Sequence, residues 1–360
     1  MRITVVGGGN IGTQFMVHCA VKGHEVIAYT SKPELFSNHL NIVDEEDRTT
    51  LEGDIALATN DPSVAFKDAD LIMVTLPSMM MKDIADKIHK FARPDALIGV
   101  VPGNGGSECA FASCIERGNT FFALERVPAI ARLVVKGKTV KSTGYKKEIH
   151  VASIPANKAQ YCCDIIAGIF DTQECSVIPN FLNLTMTPSN PILHTTRLRS
   201  LFRDYKPGLT YEKIPLFYEE WDDDSSTLLL LCDDEVQAIC KALPEYQLEF
   251  VKSLRIHYES PTVEAMTAKI SSIPAFKGLT TPQVKVDGGF IPDLHSRYFT
   301  ADFSYGLSII KQIAVFAGVD TPNIDETLAW YDSIRIEHDD FSYSDYGINT
   351  PEDFRNFYLR

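Results

Sequence analysis

Gly7-Gly8-Gly9-Asn10-Ile11-Gly12 lies between an apolar run, Arg2–Val6, and a segment of helical spacing. Glycines so placed can cradle a pyrophosphate. Gly7 makes the tight turn, Gly9 lets the backbone approach the phosphates, and Gly12 lets the helix lie close against the strand. The helix opening at Asn10 and Ile11 then points its free N–H groups and positive dipole end at the anion. A second apolar run, Glu25–Tyr29, follows at the distance a βαβ unit needs. The expectation is a dinucleotide site.

The end of that second strand bears on which dinucleotide. An acid there accepts from a free ribose 2′-hydroxyl. This chain instead reads Thr30-Ser31-Lys32, with no acid before Glu34. Two hydroxyls and an ammonium suit a 2′-phosphate, which a carboxylate would repel. The reading therefore favours NADP over NAD. Leu76-Pro77 and Pro102-Gly103-Asn104-Gly105-Gly106 follow two further apolar strands, at strand ends where open α/β sheets bind ligands. Asn104 can hydrogen-bond a ligand there, although Asn-Gly is equally ordinary turn chemistry.

A nicotinamide enzyme also needs a group that moves a proton and a group that holds the substrate. Two segments of the second half offer them. In Pro188-Ser189-Asn190-Pro191-Ile192-Leu193-His194, Asn190 is expected to cap a helix, with Pro191 as its first residue and His194 at the end of the first turn. In Arg297-Tyr298-Phe299-Thr300-Ala301-Asp302, Thr300 is expected to cap a second helix that runs to a stop at Gly318. Taken singly, a helical histidine and a first-turn aspartate carry little weight.

These groups need elements to position them. At 360 residues the chain exceeds one ordinary core, so two domains are expected. Residues 1–179 alternate strands and helices, which predicts an α/β doubly wound Rossmann sheet. Residues 180–360 lose β-alternation, and helical spacing over 190–202, 227–243, 246–257 and 301–317 predicts an all-α domain. A net charge of −14 argues against nucleic acid and anionic membrane surfaces as partners. The eight cysteines show no zinc spacing and lie mostly in apolar segments, so reduced, buried thiols are expected. With no leader-like segment ahead of the first strand, the cytoplasm is the expected compartment.

At Asn190-Pro191-Ile192-Leu193-His194, and at Arg297, Tyr298, Asp302, Gly306 and Leu307, the chain resembles the opine dehydrogenase family, which includes octopine and nopaline dehydrogenases. Phe217-Tyr218-Glu219-Glu220 and the stretch 125–132 extend the likeness. Ala301 stands where the family usually has an acid, and Ser304 where it usually has proline. The resemblance implies NAD(P)H-dependent reductive condensation of a 2-oxo acid with the amino group of an amino acid. It implies His194 as the proton-transfer residue, Asp302 as its orienting partner and Arg297 as a carboxylate ligand. Asn190, beside the histidine, and Asn104, at its strand end, are further candidates for substrate binding. Monomers and homodimers both occur among relatives. The rival reading is a ketopantoate reductase or 2-hydroxy acid dehydrogenase, which relies on a lysine proton donor. A non-catalytic NADP(H)-binding sensor, which needs no acid–base pair, is the third.

Overall fold

A computed structural model describes residues 1–170, 174–187, 189–335 and 337–360, so Pro188 of the histidine segment lies outside the described residues. Contacts divide the chain into two units, Met1–Thr185 with Asn356–Arg360, and Met186–Arg355. The division thus falls after the expected 179/180 boundary, and the last residues return to the first unit. Side-chain anchors explain the return: Asn180 Nδ2 donates to the Tyr358 carbonyl at 2.8 Å, and the Tyr358 hydroxyl donates to Glu108 Oε1 at 2.6 Å. Composition carries no trace of such distant pairings.

The first unit holds β1 (Arg2–Val6), β2 (Glu25–Tyr29), β3 (His39–Val43), β4 (Thr49–Asp54), β5 (Leu57–Thr59), β6 (Leu71–Val74), β7 (Leu97–Val100), β8 (Phe121–Leu124), β9 (Ile130–Val135), β10 (Thr139–Thr143), β11 (Glu148–Ile154) and β12 (Glu174–Val177). Eight of these form one sheet in the order β12-β11-β8-β7-β6-β1-β2-β5. Its neighbours run parallel except β8 and β11. Parallel strands covered on both faces become continuous apolar runs rather than alternating ones. Leu71–Val74, Leu97–Val100 and Phe121–Leu124 are accordingly buried at every position.

The remaining four strands form a second sheet, β4-β3-β10-β9, which the sequence reading did not anticipate. Strand β4, Thr-Thr-Leu-Glu-Gly-Asp, has no buried residue and so shows no strand-like patterning. The helix Asn10–Val21 touches strands of both sheets, and its residues from Gly12 to Cys19 are buried. A helix covered on more than one side needs no polar stripe.

The second unit is built on the helices Asn190–Phe202, Asp223–Ala242, Val263–Ser272, Ser308–Ala317 and Pro322–Ile334. It is not wholly α. The strands β13 (Gln283–Val286) and β14 (Gly289–Pro292) pair as an antiparallel hairpin around Gly288. The expected helix over 246–257 is also interrupted, into turns at Pro244–Tyr246 and Leu248–Phe250 and a short helix Leu254–His257. Gln247 breaks it with φ +52°, a left-handed backbone that cannot continue a helix. Among the described residues no helix is long and apolar enough to cross a membrane.

Candidate active site

The glycine turn is built as its spacing suggests. Gly7 has φ +107°, and a Cβ on Gly12 would lie 1.8 Å from the Gly7 carbonyl oxygen, so Gly12 must lack a side chain for the helix to start there. A Cβ on Gly9 would meet nothing within 4 Å, which leaves open space before the helix N-terminus. The first turn of Asn10–Val21 has no side-chain cap, so its N–H groups face that space. This cradle fits a dinucleotide phosphate. Ile11 is half-buried in the same turn. Asn10 serves the scaffold, with Oδ1 accepting from Leu133 N at 2.8 Å.

Around the cradle, Thr30 is buried while Ser31 and Lys32 are exposed at the end of β2. Leu76, half-buried, and Pro77, exposed, follow β6. Thr75 ties that strand end to the glycine turn by donating to the Val6 carbonyl at 2.9 Å. Asn104, half-buried, lies in the loop after β7.

In the second unit His194 and Asp302, 108 residues apart, are hydrogen-bonded through Nδ1 and Oδ2 at 2.7 Å. The opposite ring nitrogen, Nε2, lies 2.7 Å from the Tyr218 hydroxyl. As a carboxylate Asp302 can only accept, so Nδ1 carries the proton. Nε2 of the neutral ring then accepts from the phenol. His194 is 5% exposed, and both ring nitrogens are taken by protein partners. Tyr298 stacks on the imidazole at 4.2 Å between centroids, and Phe217 meets it edge-on at 5.5 Å. The Tyr218 ring is held by Phe276, stacked at 4.1 Å. Burial first, and then the neighbouring Tyr298, push the Tyr218 phenol far above its ordinary pKa, so it stays a donor.

Two backbone features bring these side chains together. The helix holding His194 begins at Asn190 with Ser189 as its cap residue, so Asn190 is an exposed first helical residue rather than the cap. Ser189 has helical backbone angles and makes no side-chain cap hydrogen bond. On the other side, Arg297–Thr300 is a short helix of its own. Thr300 ends that helix and donates to the Ser296 carbonyl at 3.2 Å, contrary to its expected role as a cap. The chain then widens into a π-helical turn, Phe303–Leu307, closed by Leu307 N donating to the Asp302 carbonyl at 2.8 Å. A Cβ on Gly306 would lie 2.7 Å from Pro191 Cγ. Close approach of these two turns thus requires glycine, and π turns recur at functional sites.

Sequence reading missed Arg197 and the role of Tyr218. Arg197 sits one turn beyond His194 and is fully buried. Its Nε donates to the Phe217 carbonyl at 3.0 Å, its Nη1 to Asp222 and Ser225 at 2.8 and 2.9 Å, and its Nη2 to the Glu220 carbonyl at 2.6 Å. It therefore clamps the turn that carries Tyr218. No local pattern singles it out, since its i−3 and i+3 neighbours on the helix are His194 and Ser200. Arg297 is exposed beside Tyr298, and no ion pair holds it among the described residues. Those residues also contain no His, Cys, Asp and Glu cluster fit for a metal.

Residues 177–335 match the family described as NAD/NADP octopine/nopaline dehydrogenase, alpha-helical domain. Residues 2–103 match the NAD-dependent glycerol-3-phosphate dehydrogenase N-terminus. The chain is 27% identical to an opine dehydrogenase of Haliotis discus hannai over 92% of this chain and 89% of the relative. It is 26% identical to a tauropine dehydrogenase of Arabella iricolor over 76% and 73%. Octopine dehydrogenase solved with NADH and L-arginine shares the fold, with a TM-score of 0.86, 21% identity and coverage of 98% and 97%.

Proposed function

We propose that this chain, an NAD(P)-dependent dehydrogenase of the opine dehydrogenase family by its helical domain and its alignment with opine dehydrogenases, condenses a 2-oxo acid reductively with the amino group of an amino acid. The observation that carries the reading is the buried His194–Asp302 pair on the helical domain. A reduced nicotinamide dinucleotide on the Gly7–Gly12 cradle supplies hydride. The chain's own residues supply the rest. Nε2 of His194 takes a proton from the attacking amine and returns one to the departing hydroxyl, so that a carbon–nitrogen double bond forms. Asp302 holds the ring in the tautomer whose Nε2 is an acceptor, the position at which the substrate's proton would replace the Tyr218 hydroxyl contact. Arg297 offers a planar fork for the oxo acid's carboxylate, with Asn190 and Asn104 as hydrogen-bonding residues toward substrate.

For the cofactor, NADP is proposed over NAD. Support comes from exposed Ser31 and Lys32 after β2 and from the absence of an acid before Glu34. Among structural relatives, octopine dehydrogenase was solved with NADH and yersinopine dehydrogenase with NADP+. The amine, the oxo acid and any homodimer are left to experiment, and the cytoplasm remains the proposed compartment.

The test is oxidation of NADPH and of NADH with a panel of 2-oxo acids, each with and without a panel of amino acids. Oxidation that needs both partners is expected, with kcat/KM higher for NADPH. Oxidation by an oxo acid alone would move the assignment to a hydroxy acid dehydrogenase.

A further inference from the structure

We propose that the hairpin turn Lys136-Gly137-Lys138, carried by the second sheet, forms one wall of the site for the 2′-phosphate of NADP(H), with Lys136 and Lys138 joining Lys32 as its cations. The inference rests on the reading of NADP as the cofactor. It adds to that reading an element far from the glycine turn in sequence.

A chain of contacts leads from the glycine cradle to the hairpin. A Cβ on Gly8 would lie 2.5 Å from Phe36 Cζ and 3.2 Å from Thr30 Oγ1, so the Phe36 ring and the Thr30 hydroxyl both close on the second glycine. Thr30 Oγ1 accepts from Lys32 N at 3.4 Å. Lys32 opens the tight turn Pro33–Leu35, where Leu35 N donates to the Lys32 carbonyl at 3.2 Å. The residues leaving that turn are fastened to the hairpin, because Ser37 N donates to the Gly137 carbonyl at 2.8 Å. Gly137 has φ +68°, and a Cβ on it would strike the Leu35 carbonyl oxygen. Only glycine lets the two turns lie this close. The backbone of Lys136 and Lys138 is thereby held beside the segment that follows β2, where the adenosine ribose of a dinucleotide lies.

The charges on these two turns are unbalanced. Lys32, Lys136 and Lys138 are all exposed, and none has an ion-pair partner among the described residues. Other cations of the second sheet are spent nearby: Lys141 Nζ lies 2.7 Å from Asp47 Oδ1, and Arg48 reaches Asp44 and Glu46 at 2.7 Å each. Over residues 30–37 and 135–139 the one carboxylate is Glu34, against three ammonium groups. A phosphomonoester brings about two negative charges and three strong acceptor oxygens. Lysines meet it as point charges on flexible stems, so no preset geometry is needed. A free 2′-hydroxyl gains little from the same cations, which makes the cluster selective.

The experiment is fluorescence titration of the full chain with NADPH and with NADH, for the parent, Lys136→Ala, Lys138→Ala, their double variant and Lys32→Ala. All three lysines are exposed, and an unchanged Tm checks that each variant folds. NADPH affinity is expected to fall about threefold for each hairpin lysine and about tenfold for the pair, the range of exposed ion pairs. NADH affinity should stay the same. Adenosine 2′,5′-bisphosphate, as a competitor, should weaken in step with NADPH, and added salt should narrow the gap between parent and double variant. Unchanged NADPH affinity in the double variant, or equal losses for NADPH and NADH, overturns the proposal. If Lys32→Ala then still weakens NADPH alone, the NADP reading survives that failure. A parent that binds NADH at least as tightly as NADPH sinks the NADP reading, and the hairpin's role with it.

Discussion

The His194 ring is gripped at both nitrogens and on one face. Its removal is the direct test of role against mere presence. His194→Ala is expected to keep NADPH affinity, read by fluorescence titration, and to lose turnover by about 10²–10⁴-fold, the usual worth of a positioned acid–base group. Turnover within a few-fold of the parent would remove it from the mechanism. Its identity and that of Asp302 were legible as sequence elements. Their juxtaposition was not, since 108 residues separate them. Tyr218 was visible only as part of a resemblance, because nothing local marks a tyrosine as the partner of a distant imidazole.

Helix termini and one irregular turn set the site's precision. The π turn Phe303–Leu307 meets the start of Asn190–Phe202 through Gly306 and Pro191, where an added Cβ would lie 2.7 Å from Pro191 Cγ. Gly306→Ala is expected to cost about 1–3 kcal/mol by overpacking and to lower kcat more than it weakens NADPH binding. Equal loss of both would show a general folding defect instead. A second element-scale prediction concerns Asp233, buried on the helix Asp223–Ala242, where its Oδ2 accepts from Leu254 N at 2.9 Å. Burial raises its pKa from 3.8 to about 6, against the pull of that hydrogen bond and Arg255. A raised carboxyl contributes stability that is full below its unfolded pKa and lost as pH rises through its folded one. From pH 4 to 7 the loss is at most about 3 kcal/mol, at 1.36 kcal/mol per pH unit. Asp233→Asn should therefore gain in Tm relative to the parent as pH rises across that window. A Tm difference flat with pH would refute this.

At the scale of the molecule, the chain forms two units, one carrying the Gly7–Gly12 turn and the other the hydrogen-bonded His194 and Asp302. Cysteine chemistry bears on the whole chain. All eight thiols are free, and all but Cys175 and Cys240 are buried. Burial raises both, Cys240 to about 12, and Cys175 and Cys163 each have the other's sulfur as a neighbour. A thiol reagent at pH 8 is therefore expected to label at most two sites, slowly, in the native protein and all eight after denaturation. Rapid native labelling of more than two would contradict the packing.

The sequence alone determined the features that rest on local order. The Gly7–Gly12 turn, the apolar parallel strands and the helix Asn190–Phe202 each follow from neighbouring residues, because turn geometry and periodicity act over a few positions. The Gly318 stop is equally local, with its left-handed φ of +66°. Tertiary structure decided what depends on distant partners. It built the second sheet from exposed β4, broke the helix expected over 246–257, and moved the helix caps to Ser189 and away from Thr300. It also returned the C-terminal residues to the first unit through Tyr358 and Glu108. Asp302 reached His194 only through a π turn whose closeness depends on Gly306, and Tyr218 was set on Nε2 by an arginine clamp. Packing and hydrogen bonding across many residues of chain set those distances, and local spacing does not encode them.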